Sequence, residues 1–90
     1  MKEKIIVVSN KAGLHARPAA TLVQTLSKYQ SDVKILKNDF EVDAKSIMGV
    51  MSLAAAYGSK LKFIADGPDE YEAIAAVENL FGSNGSKFGE

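Results

Sequence analysis

The sequence predicts a two-layer α+β domain, with helices covering one face of a sheet. Three observations lead there. Four short segments are β-branched or alternate polar and apolar residues, as strands do. Three others repeat apolar residues at helical spacing or carry a helix-opening residue. The two kinds follow one another as β-α-β-β-α-β-α along 90 residues, a length that supports one domain with a single modest core.

Each element has its own grounds. "KIIVVS" (4–9) is β-branched and bounded by Asn10 and Gly13, so it reads as a strand. A helix over 16–29 follows, with Ala19, Leu22, Val23 and Leu26 on one apolar face and Gln24, Thr25 and Lys28 on the other. "DVKIL" (32–36) and "FEV" (40–42) alternate, and the turn formers Asn38-Asp39 join them as a hairpin. Ser46 is an N-cap for a helix in "SIMGVMSLAAA" (46–56), which Gly49 weakens. "KLKFIA" (60–65) alternates as the last strand. Asp69 and Glu72 have capping-box spacing ahead of a helix over 70–81 whose expected buried stripe is Tyr71, Ile74, Val77 and Phe81. Residues 1–81 are the expected domain. Residues 82–90, "GSNGSKFGE", have little to bury and are expected as a flexible C-terminal tail.

Composition narrows the functional classes. Eleven basic residues balance eleven acidic ones, so no bulk field favours direct binding to nucleic acid or anionic lipid. Cysteine is absent, which excludes disulfides and thiolate metal sites and fits a reducing compartment. No apolar run reaches membrane-spanning length, and "MKEKIIVVSN" lacks a long apolar signal core. The expected location is the cytoplasm, with no membrane insertion.

The chemistry concentrates at "GLHARPAA" (13–20), which holds the one histidine of the chain. His15 falls where the first loop enters the first helix. Pro18 suits the first helical turn, where a backbone N–H has no carbonyl partner to lose. The amides of Ala16 and Arg17 then point outward beside the imidazole, and a helix start with such amides favours anions. Arg17 adds a full charge and a guanidinium fork suited to phosphate oxygens. Gly13 permits a tight turn, and Ala16 and Ala20 keep bulk away from the ring. An imidazole must be neutral to attack phosphorus, and histidine is the side chain that offers this form in quantity at neutral pH. A covalent phosphoimidazole suits this arrangement better than a metal, because no second histidine and no cysteine exist to complete a coordination sphere. No cofactor is called for. The competing reading is a surface histidine without chemistry, and a four-residue motif alone leaves both open.

The second apolar segment cannot bury every side. Ile47, Met48 and Met51 are the expected exposed group, and flexible thioethers suit a surface that meets several partners. Ser46 reads first as an N-cap. A phosphate on it would set about −1.5 to −2 charges beside that apolar group and change which partners bind.

Two segments carry a family resemblance. "GLHARPAATLVQTLSKY" (13–29) resembles the active-site segment of HPr, the histidine-containing phosphocarrier of the bacterial phosphoenolpyruvate-dependent sugar phosphotransferase system. "KSIMGVMSLA" (45–54) resembles that family's regulatory-serine segment in its Gram-positive form. Their separation and the element order agree as well, so the resemblance spans nearly everything except the tail. It implies an open-faced β-sandwich, a four-stranded antiparallel sheet with three helices on one face. It implies that His15 takes a phosphoryl group from phospho-Enzyme I through Nδ1 and passes it to sugar-specific IIA components, with Arg17 assisting. It further implies that an HPr kinase/phosphorylase modifies Ser46, that phosphoserine slows phosphoryl entry at His15, and that it promotes binding to a catabolite control repressor. Ala16, Ala20, Ile47, Met48 and Met51 would meet partners, and the carrier would work as a monomer.

The chain departs from the family pattern at "AAAY" (54–57), often glycine-containing and basic in similar proteins, which leaves the part played by Tyr57 open. "KNDF" (37–40) lacks the common Asn-Gly turn, so another turn type is expected. A regulatory paralogue lacks the histidine, which His15 argues against here. Two further classes stay in view. One is a regulatory binding module acting mainly through Ser46 and the methionines. The other is a small acylphosphatase-type hydrolase, whose glycine-rich phosphate loop is not found.

Overall fold

The computed structural model describes residues 1–9 and 13–85, with side chains as far as Phe81. The predicted order holds: β1 (Lys2–Val7), α1 (Ala16–Leu26), β2 (Asp32–Lys37), β3 (Phe40–Asp43), α2 (Ile47–Ser52), β4 (Lys60–Asp66) and α3 (Glu70–Gly85). The strands form one antiparallel sheet in the order β1-β4-β2-β3. Strand alternation divides it into two faces. Ile6, Val33, Ile35, Val42, Leu61 and Phe63 point to the helices and are buried. The other face is open, with Ile5 and Val7 exposed and ion pairs Glu3–Lys62 at 3.1 Å and Lys34–Glu41 at 3.4 Å. The helices contribute Leu22, Leu26, Val50, Ile74 and Val77 to the core, and the rings of Phe63 and Phe81 meet at 5.8 Å.

Element ends differ from the sequence expectation, some for local reasons and some for reasons that lie elsewhere in the chain. β1 starts two residues early and ends at Val7, because Lys2, Glu3 and Lys4 find partners in β4. Val8 leaves the sheet yet stays fully buried, exchanging hydrogen bonds with the 58–59 turn. α1 stops at Leu26 rather than 29. There the Ser27 hydroxyl donates to the Val23 carbonyl at 2.7 Å, and Lys28 and Tyr29 continue as tighter three-residue turns. In the hairpin, Lys37 pairs with Phe40, and Asn38 takes the left-handed φ of +57° that the short turn needs.

α2 is shorter than the 46–56 segment. It ends because the carbonyls beyond Met51 are claimed from outside. The Lys37 ammonium donates to Leu53 O at 3.1 Å and Ala54 O at 3.3 Å, and the Leu14 amide donates to Ala55 O at 2.9 Å.

α3 departs in three ways. It runs on to Gly85, four residues into the segment expected as a tail, held on its inner side by Leu80 and Phe81; residues 86–90 lie outside the described residues. Its buried stripe is Ala73, Ile74, Val77, Leu80 and Phe81, and Tyr71 is 68% exposed with the Lys2 ammonium 5.4 Å above its ring. At 3.6 residues per turn this stripe puts Glu70 on the inward line rather than Tyr71. The Met1 ammonium at 2.8 Å and the Gly67 amide at 3.1 Å satisfy the Glu70 carboxylate there and hold its pKa below the usual range. Neither half of the expected Asp69–Glu72 box forms. Asp69 instead reaches back to the end of α1, accepting from the Ser31 hydroxyl and from the Gln30 and Ser31 amides, while its own amide donates to Ser31 Oγ at 3.2 Å.

Candidate functional site

The loop before α1 is built around Gly13 and Leu14. Gly13 has a φ of +73°, and a Cβ there would lie 2.5 Å from the Ala55 carbonyl oxygen and 3.0 Å from Ala56 Cα. Only glycine lets the two backbones come this close. Leu14 is buried and its amide makes the 2.9 Å bond to the same carbonyl. The loop is therefore fixed on both sides of one residue pair, and the next residue, His15, emerges at the surface.

His15 is the N-cap of α1, in extended conformation, with its carbonyl accepting from the Ala19 amide at 3.0 Å. Its ring does not cap the helix, so the imidazole is not spent on the first-turn amides. Those of Ala16 and Arg17 precede the first intrahelical bond by construction. Ala16 and Arg17 are exposed, Ala20 is half-buried, and Pro18 and Ala19 are buried and anchor the turn. The first turn holds no acidic residue, so nothing on it opposes an anion. The structure thus brings His15, Arg17, Ala16 and Ala20 to one helix start, with Gly13 underneath.

Ser46 lies on the neighbouring helix. It is half-buried, and its hydroxyl accepts from the Gly49 amide at 3.0 Å as the expected N-cap. A Cβ on Gly49 would come within 3.2 Å of the Asp43 carbonyl and 3.3 Å of Ser46 Oγ, so the residue that weakens the helix in isolation is the one that fits against its cap. Met48 is 83% exposed, with Met51 and Ile47 at 44% and 42%, while Val50 and Leu53 enter the core. α1 and α2 pack side by side, which brings these apolar side chains to the helix neighbouring the His15 helix.

Two contributors went unseen in the sequence reading: the Ala55 carbonyl that receives Leu14, and the Lys37 ammonium that ends α2. Neither carries a local signal. A broader one was present. No aspartate or glutamate occurs between Glu3 and Asp32 or between Asp43 and Asp66, the two stretches that hold α1 and α2.

Comparison with known proteins agrees with this geometry. The family model described as "PTS HPr component phosphorylation site" matches residues 2–83. The phosphocarrier protein HPr of Treponema pallidum is 48% identical over 81 residues, covering 90% of this chain and 92% of the relative. The crystal structure of HPr-C-His from Thermoanaerobacter tengcongensis is 52% identical, covers 100% of this chain and 98% of that one, and superposes with a TM-score of 0.90. Crh of Bacillus subtilis, described as a catabolite repression HPr, is 44% identical over 86% of this chain and 93% of its own, with a TM-score of 0.64. The open-faced sheet, the exposed histidine at its helix start and these matches along nearly the whole length have one explanation: the chain belongs to the HPr family, the phosphocarrier proteins of the phosphotransferase system.

Proposed function

We propose that His15 is the phosphoryl acceptor and donor of this carrier. Its Nδ1 attacks the phosphorus presented by phospho-Enzyme I, the bond from phosphorus to the donor breaks as the N–P bond forms, and the group then passes in the same way to a IIA component for sugar uptake. Arg17 and the Ala16 and Arg17 amides hold the transferred negative charge. The observation that carries this reading is the exposed His15 N-cap beside Arg17 in a first turn without carboxylates. The chain has no turnover of its own, acts in the cytoplasm and works as a monomer. Among the described residues no helix is long and apolar enough to cross a membrane. Incubation with Enzyme I and phosphoenolpyruvate should put acid-labile phosphate on the wild type and none on His15→Ala. An unlabelled wild type, or equal label on the variant, refutes the reading.

A second, compatible role is supported by Ser46 standing directly before the exposed Ile47, Met48 and Met51. An HPr kinase/phosphorylase would modify Ser46, and the added charge beside that surface would slow phosphoryl entry at His15 and favour a catabolite control repressor. Kinase and ATP should label the wild type with acid-stable phosphate and leave Ser46→Ala unlabelled.

A further inference from the structure

Lys37 stands on the inward line of β2, in alternation with Val33 and Ile35, both of which enter the core. A charge on that side of the sheet has to be hydrogen-bonded. The Lys37 ammonium reaches across to the end of α2 and donates to Leu53 O at 3.1 Å and Ala54 O at 3.3 Å. These carbonyls belong to the two peptide groups that flank Ala54. Both backbone dihedrals of Ala54 therefore lie between groups that Lys37 holds. Ala54 has a φ of +49°, a left-handed conformation that alanine keeps only where its surroundings impose it. The next carbonyl along the chain, that of Ala55, is the one that accepts from the Leu14 amide at 2.9 Å. It is also the atom that leaves no room for a Cβ on Gly13.

A continuous set of contacts thus runs from β2 to the transfer site. Lys37 sets the path of the chain through Ala54, that path places Ala55, and Ala55 holds Gly13 and Leu14 directly before His15. We propose that Lys37 is a positioning residue for phosphoryl transfer, acting through Ala54 and Ala55 to fix the loop that presents the His15 ring. It does not touch the phosphoryl group. Without its two hydrogen bonds, Ala54 relaxes toward an ordinary backbone conformation, the Ala55 carbonyl swings from the Leu14 amide, and the imidazole loses its fixed aim at phosphorus. The loss then falls on the transfer step and not on the affinity for the donor protein.

This inference rests on the phosphocarrier reading of His15, and the test separates the two. Transfer from phospho-Enzyme I is followed by rapid mixing against carrier concentration for wild type, Lys37→Met, Lys37→Arg and Ser31→Ala, with thermal melts alongside. Methionine keeps the apolar stem of the lysine and removes its donors, whereas arginine keeps both. Ser31→Ala removes a buried hydroxyl from the Asp69 network beyond the exit of α1, so it destabilises the fold without reaching the His15 loop. In Lys37→Met the rate at saturating carrier should fall about tenfold, with the half-saturating concentration within about twofold, since a displacement of about 1 Å can cost up to about 100-fold. Lys37→Arg should recover to within about threefold of wild type. Ser31→Ala should transfer at the wild-type rate despite a lower melting temperature. Amide hydrogen exchange reads the loop without Enzyme I, and in Lys37→Met it should accelerate more at Leu14 than at Phe63 in the core. A wild type that takes no phosphate removes the function reading and this inference together. With a labelled wild type, this inference alone falls if Lys37→Met transfers within twofold of it, if the loss lies in the half-saturating concentration, if Lys37→Arg is as slow as Lys37→Met, or if Ser31→Ala slows transfer as much.

Discussion

Gly13 and Ala54 take the same left-handed backbone conformation with opposite consequences, at φ +73° and +49°. At Gly13 the conformation is free of strain, and the space where a Cβ would sit is filled by the Ala55 carbonyl at 2.5 Å. Gly13→Ala must both adopt a disfavoured φ and push the Ala55–Ala56 backbone from the loop, so a loss of about 2 kcal/mol or more is expected. Ala54 already carries the disfavoured φ and keeps it because Lys37 holds the adjacent carbonyls. Ala54→Gly should relieve that strain and raise stability by about 0.5–1 kcal/mol. Urea unfolding of both variants checks the pair, and a destabilised Ala54→Gly would contradict it. At this scale the sequence was informative about chemistry and silent about conformation. His15, Arg17 and Pro18 announce a helix start by residue type. Nothing around Ala54 announces a left-handed alanine, because what stabilises it is a lysine from another strand.

Among the elements, periodicity located β2, β3, β4, α1 and α3, since the faces that meet the core follow from the 2.0 and 3.6 residue repeats, while β-branching marked β1 and the Ser46 N-cap marked α2. It could not locate ends, because several of them are decided by a partner distant in sequence. Ser31 and Asp69 show this most directly, binding the exit of α1 to the entrance of α3 across 38 positions. The Ser31 hydroxyl first, and then the Gln30 amide, hold the Asp69 carboxyl below the usual aspartate range. A depressed carboxyl pKa contributes stability that is complete above its unfolded value, about 3.9, and is lost as pH falls through the folded value. Asp69→Asn keeps one acceptor oxygen and loses the charge. It should be less stable than wild type at pH 7, and the gap should close as the pH is lowered below about 4. Urea midpoints of the two proteins across that range measure it, and a gap that is constant with pH would assign the stabilisation to packing instead.

Across the whole molecule, a net charge of zero hides an uneven distribution. Asp32 pairs with Asp66 across β2 and β4, and Asp69, Glu70 and Glu72 open α3 at the same end, where α1 finishes. The start of α1 lies at its other end, and between Glu3 and Asp32 the chain carries cations but no carboxylates. Arg17, in the first turn of α1, therefore has no acid in its own segment, whereas Lys28 and Lys45, the latter donating to the Tyr29 carbonyl at 2.7 Å, lie towards the acidic end where α1 finishes. A partner that covers this surface gains most by presenting acidic residues around an apolar centre, and such attraction acts on encounter more than on the bound state. Salt screens charges beyond a Debye length of about 10 Å at 0.1 M. Raising salt from about 50 mM to about 500 mM should thus raise KM for the carrier several-fold in the Enzyme I reaction and leave kcat nearly unchanged. On the reading proposed for His15, Arg17→Gln should flatten the dependence as well as weaken transfer, because Arg17 would then serve as both a phosphate ligand and a steering charge. A wild-type KM indifferent to salt would mean that the carrier is recognised through apolar contacts alone.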